Sequence, residues 1–220
     1  MHLRLVIGNK NYSSWSLRAW LLLAENGIAF EEIRIPLDTP EFARSIRRWS
    51  RAARVPVLML DDHPVWDTLA IAETLAELHP DAGLWPDDCL ARAHARSIAA
   101  EMHSGFAELR DTMPMNCRAR GRKVPQCDDL NAEIGRIATI FTDCHEQYGA
   151  GGDWLFGERF SIADAMYAPV VMRFRTYGVT LPDAAGHYPR RLLESAAVQN
   201  WLHAAESETE VVEQDEKGYP

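Results

Sequence analysis

Every segment that reads as a β-strand lies before Asp67, and beyond Asp81 the apolar residues recur only at helical spacing. Such a chain must build one small sheet from its first third and bury the remainder helix against helix. Leu3-Arg4-Leu5-Val6-Ile7 is a short β-rich run closed by the turn signal Gly8-Asn9. Phe30 to Pro36 alternates as a second strand, and Pro56 to Leu60 forms a third. A tight Asp61-Asp62 turn then leads into a short fourth strand from His63 to Trp66. Trp15 to Asn26 and Pro40 to Trp49 carry helical periodicity, the former stopped by Asn26-Gly27. Asp67-Thr68 opens a third helix, halted by Pro80. The predicted order over residues 1–80 is β-α-β-α-β-β-α, an α/β domain.

Residues 81–88 break both periodicities with Gly83 and Pro86 and read as a linker. From Asp87 to Thr112 the spacing of Ala95, Ile98, Met102, Phe106 and Leu109 predicts one long helix. A loop over 113–126 precedes a second helix from Leu130 to Tyr148. Ser161-Ile162-Ala163-Asp164 has the spacing of a capping box and opens a third, in which Pro169 predicts a kink. A last helix is expected from about Pro189 to Ala205. Residues 89–206 therefore form an all-helical domain, and the acidic stretch 207–220 reads as a solvated tail.

Composition excludes several functions. With 23 basic against 32 acidic residues the net charge is -9, the wrong sign for a nucleic-acid partner. The longest apolar stretch, Ala19 to Ala24, falls far short of the roughly 18 residues a membrane span needs. Met1 leads almost directly into the first strand, leaving no room for a signal peptide, so a cytoplasmic protein is expected. Cys89, Cys117, Cys127 and Cys144 show neither a Cys-x-x-Cys pair nor ligand spacing with histidine, so isolated thiols and no metal are expected.

Three features carry chemistry. Tyr12-Ser13-Ser14-Trp15-Ser16-Leu17-Arg18 places several hydroxyls at the start of the first helix, where free backbone N–H groups favour an anion. One serine there is explained by capping; Ser13, Ser14 and Ser16 together exceed that need. Val55-Pro56 is a candidate cis step that would turn the Val55 backbone toward an extended peptide. Asp67-Thr68, at the mouth of the third helix, offers amides and a hydroxyl to a carboxylate and an acid to an ammonium.

Taken in this order, the features resemble the cytosolic glutathione transferases over roughly residues 3–205. Ser13 to Arg18 is similar to the Ser-Ser-Cys-Ser-x-Arg motif of the zeta class, the maleylacetoacetate isomerases, with Trp15 in the cysteine position. The resemblance implies a thioredoxin-like N-terminal domain, an all-α C-terminal domain and a homodimer. It implies an enzyme that conjugates the glutathione thiolate to a small, largely apolar electrophile. Ser13, and after it Ser14, would stabilise the thiolate; Arg54, Val55, Pro56, Asp67 and Thr68 would hold the tripeptide. Tyr12, Met102, His103, Phe106 and Arg110 would line the electrophile pocket, while Arg18 braces the loop. Two other outcomes fit the same shell: a non-catalytic binding or assembly module, and a zeta-like glutathione-dependent isomerase. The basic loop Arg118, Arg120, Arg122 and Lys123 reads as solvated.

Overall fold

A computed structural model describes residues 1–219. Its sheet has the order β2-β1-β3-β4, from β1 (Leu3–Ile7), β2 (Glu31–Arg34), β3 (Val57–Leu60) and β4 (His63–Val65). β1 runs parallel to β2 and antiparallel to β3, and β3 to β4 is an antiparallel hairpin. Because side chains alternate along a strand, the sheet has two apolar faces. Leu3, Leu5, Ile7 and Leu58 enter the main core beneath α1 (Ser14–Glu25) and α3 (Thr68–Leu78). Val6, Val57 and Met59 form a smaller core with Ile46 of α2 (Pro40–Trp49). This is the expected thioredoxin-like arrangement, followed by helices alone.

The helical half centres on α7 (Ile162–Tyr177), which packs against α1 and against α4 (Cys89–Ser104). The capping box forms as expected. Asp164, fully buried, accepts from Ser161 N–H at 2.8 Å and from the Leu155 amide at 3.0 Å. α7 passes through Pro169 without a break.

Three expectations are corrected. The long helix after the linker is two, α4 and α5 (Ala107–Thr112), because Phe106 takes a left-handed φ of 57°. Periodicity missed the break because Met102, Phe106 and Leu109 reach the same core from either side of it. The last helix is likewise two, α8 (Asp183–Glu194) and α9 (Ala196–Glu206), parted at Ser195, whose hydroxyl caps the second. Between them and α5 lies α6 (Asp128–Tyr148).

The third correction concerns the acidic tail, whose described part, 207–219, lies folded on the protein. Val212 is buried, and the Glu208 carboxylate accepts the Lys10 and Asn11 amides at 2.8 and 2.9 Å. Glu216 accepts from the Tyr12 hydroxyl at 2.6 Å, Asn116 Nδ2 at 2.8 Å and Arg122 at 2.8 Å. Lys123 and Tyr219 pair through their backbones. The loop expected to be solvated is the tail's partner. Arg118 reaches the Glu208 and Glu210 carbonyls, and Arg122 reaches Gly218.

Candidate active site

The loop after β1 turns on Asn9, whose carbonyl accepts from the Ser13 amide at 2.8 Å. Ser13 is the N-cap of α1: its Oγ accepts from Ser16 N–H at 3.4 Å and its hydroxyl donates to Ser16 Oγ at 2.7 Å. Ser16 Oγ in turn accepts the Gly8 amide. The Ser13 hydroxyl is thus occupied within the loop. Ser14 begins the helix, is nearly buried, and commits its hydroxyl to no other group among the described residues.

Two clefts meet beside this helix end, divided by the Trp15 indole, with Arg54 and Val55 shared between them. The first, about 480 Å³, is bounded by Val55, Pro56, Trp66, Asp67, Thr68 and His103. The Val55–Pro56 bond, a candidate cis step in the sequence, is cis, and so is Trp66–Asp67, which nothing in the sequence signalled. Asp67 caps α3 through the Leu69 amide at 2.9 Å, and its other oxygen lies 3.3 Å from His103 Nε2. Thr68 is 3% exposed, and its Oγ1 is buried with no partner among the described residues. His103 Nδ1 is in the same condition. Burying polar atoms unpaired is costly unless something binds there.

The second cleft, about 340 Å³, is bounded by Tyr12, Ser14, Val55, Arg110, Arg173 and Asp215. Arg110 and Arg18 both lie over the Trp15 ring, with guanidinium carbons 5.0 and 4.2 Å from its centroid. Arg18 is almost wholly buried and donates to the Met166 carbonyl of α7, so it ties α1 to α7 and does not brace the loop as expected. Burial, then the nearness of Arg110 and Arg173, pushes its pKa well below the ordinary value. Burial followed by Arg110 brings Arg173 down to about 10. Facing them, burial raises the Asp215 carboxyl to about 6. Tyr12 gives its hydroxyl to Glu216, and burial followed by that carboxylate raises its pKa.

Not all the expected pocket residues lie here. Tyr12 and Arg110 line the second cleft, but His103 belongs to the first, and Met102 and Phe106 are in the core. Arg110 and Arg173 bring two cationic side chains to the second cleft, with Asp215 among its lining. Arg173 and Asp215 were missed. An arginine four residues after Pro169, inside the otherwise apolar run 165–174, was the signal for the first. None of the four cysteines lines either cleft, and burial raises the Cys117 and Cys144 thiols to about 12. A nucleophilic sulfur must therefore arrive with a ligand.

Comparison with known proteins decides the family. Residues 12–78 match the glutathione S-transferase N-terminal domain, and residues 92–204 match the C-terminal domain. The chain belongs to the glutathione S-transferase family. The chain is 36% identical over 97 residues to a probable maleylacetoacetate isomerase of Caenorhabditis elegans, a match spanning 44% of this chain and 45% of that one. It is 26% identical to the maleylacetoacetate isomerase of Rattus norvegicus over 85% of this chain and 87% of that one. Its fold superposes on a glutathione transferase homolog from Burkholderia, solved with bound glutathione. The TM-score is 0.70 at 23% identity, covering 94% of this chain and all of that one. Glutathione is the ligand of the family, and the chemistry of the first cleft suits it. The orphaned Thr68 hydroxyl and the α3 N-terminus match a carboxylate, and Asp67 matches an ammonium. Among the described residues no cluster of three or more His, Cys, Asp or Glu is placed to hold a metal ion, and no helix is long and apolar enough to cross a membrane.

Proposed function

We propose that this glutathione transferase binds glutathione in the first cleft and adds its thiolate reversibly to a conjugated, carboxylate-bearing electrophile in the second, an isomerase-type reaction. Thr68 Oγ1 and the α3 amides take the γ-glutamyl carboxylate, Asp67 its ammonium, and the Val55 backbone the cysteinyl unit. Arg54, exposed at the lip, reaches for the glycyl carboxylate. This pose brings the sulfur to the α1 N-terminus. Ser14 donates to it there, and Ser13 holds the helix end in place. One hydrogen bond to a charged acceptor contributes about 1.5–3 kcal/mol, which lowers a thiol pKa by roughly one to two units.

The observation that carries the reading is a serine with an uncommitted hydroxyl lining the second cleft together with Arg110 and Arg173, where that cleft meets the first at Trp15, Arg54 and Val55. A maleyl group supplies what that cleft selects: a carboxylate, and a double bond conjugated to a carbonyl. The sulfur adds to the double bond, the resulting single bond rotates, and the sulfur leaves. Atoms balance with no net change but geometry. The names of the nematode and rat relatives support the same choice of substrate. Trp15 stands in the cysteine position, so the only sulfur in the reaction is that of glutathione. The family's homodimer and cytoplasmic setting belong to this reading, and four free thiols suit a reducing compartment.

The test is Ser14→Ala beside Ser13→Ala, with maleylacetoacetate as substrate. Ser14→Ala should raise the pKa of the bound thiol by about one to two units and lower kcat/KM by about 10- to 100-fold, with glutathione affinity little changed. Ser13→Ala should chiefly lower the melting temperature, as loss of a cap does. Calorimetry finding no glutathione uptake by the wild-type protein would overturn the reading.

A further inference from the structure

The tail carries Asp215 into the second cleft, which it lines together with Ser14, Val55, Arg110 and Arg173. Its placement is built rather than incidental. Glu208 on one side and Glu216 on the other pin the segment to Lys10, Asn11, Tyr12, Asn116 and Arg122, and Val212 anchors it in the core. Asp215 sits in a short helical turn, Glu213–Asp215, held between these anchors. No part of the sulfur chemistry above uses it.

We propose that Asp215 is the catalytic proton carrier of the second cleft, taking the glutathione thiol proton and lending it to the carbonyl oxygen of the electrophile. This rests on the reading just given. When glutathione binds, its S–H proton passes to the Asp215 carboxylate, leaving the thiolate at Ser14. When the carbon–sulfur bond forms, the displaced electron pair moves to the conjugated carbonyl oxygen, and Asp215 protonates it to a neutral enol. On expulsion of the sulfur the enol returns the proton to Asp215, so nothing is consumed.

The charges around Asp215 fit that duty. Arg173 of α7 faces it and favours the carboxylate, while Asp38, in the turn before α2, and Glu216 oppose it. Lys217 also favours the carboxylate but is paired with Asp111 at 3.0 Å, and Glu216 is itself held by Tyr12, Asn116 and Arg122. Arg110, Arg54 and the Tyr12 phenol complete the lining. Burial dominates, and the carboxyl titrates at about 6. An arriving substrate carboxylate raises it further, in the direction that favours handing a proton to the electrophile.

The experiment compares the wild-type protein with Asp215→Asn and Asp215→Glu. Glutathione binding is followed by calorimetry and maleylacetoacetate turnover across pH 5 to 8. Glu213→Gln, an exposed acid on the same turn, is the control and should match the wild type. Asp215→Asn should bind glutathione normally, lose about 100-fold or more in kcat, and lose the acidic limb of kcat/KM near pH 6. Asp215→Glu, which keeps a carboxyl, should retain that limb. Asp215→Asn turning over at the wild-type rate with the limb intact would overturn this inference and leave the proposed function standing. A wild-type protein that takes up no glutathione would overturn both.

Discussion

Thr68 carries a hydroxyl that the fold buries without giving it a partner, and that combination separates binding from stability at a single residue. In the free protein the unsatisfied oxygen is a cost; with a ligand carboxylate in place it becomes a hydrogen bond to charge. Thr68→Val keeps the shape and removes the polar atom. Thermal melts should show the free variant as stable as the wild type or slightly more so. Calorimetry should show glutathione affinity falling about 10-fold or more, since a hydrogen bond to a charged group is about 1.5–3 kcal/mol. Equal affinity would remove Thr68 from the site. This residue and Asp67 were readable in the sequence, because a helix start announces its free amides through its cap. The division of labour between Ser13 and Ser14 was not. Both are serines at the same helix end, and only the observed bond from the Ser13 hydroxyl to Ser16 Oγ shows which one is spent on capping.

Among the elements, α7 holds the two halves together, and its N-terminus is the point where one change should do most damage. Asp164 accepts the Ser161 amide, the Ser161 hydroxyl and the Leu155 amide in a fully buried setting. Asp164→Ala leaves two backbone N–H groups buried without acceptors, each costing about 1–3 kcal/mol. Urea denaturation should show a loss of about 3 kcal/mol or more with an unchanged m-value, and restoration in Asp164→Asn should be only partial. The capping box was legible because it is a local pattern four residues long. The two helix breaks, at Phe106 and at Ser195, were not, because core periodicity continues across each of them. A helix may be interrupted without disturbing which face is apolar, and only the apolar face is written plainly in the residue types.

For the whole molecule, the strap formed by the tail is the feature that sequence composition described least well. Six acids between Glu206 and Glu216 read as a solvated end when their partners are out of sight. Those partners, Lys10, Asn11, Tyr12, Arg34, Asn116, Arg118 and Arg122, lie about a hundred or more residues away in the chain. The N-terminal domain could be read because each of its strands and helices shows in local periodicity and turn residues, whereas the strap is set by charge met only after folding. Glu216 is the tie that matters most, since it joins Tyr12 of the sheet domain to Asn116 and Arg122 of the helical one. Glu216→Ala strips three donors of their acceptor at once, at about 1–3 kcal/mol for each that water cannot reach. The melting temperature should fall, and the strap should loosen over the second cleft while the first, on the far side of Trp15, keeps its shape. Steady-state kinetics should then show KM for the electrophile rising several-fold while KM for glutathione stays near its wild-type value. An equal rise in both would mean that the strap supports the protein as a whole and has no particular hold on the electrophile pocket.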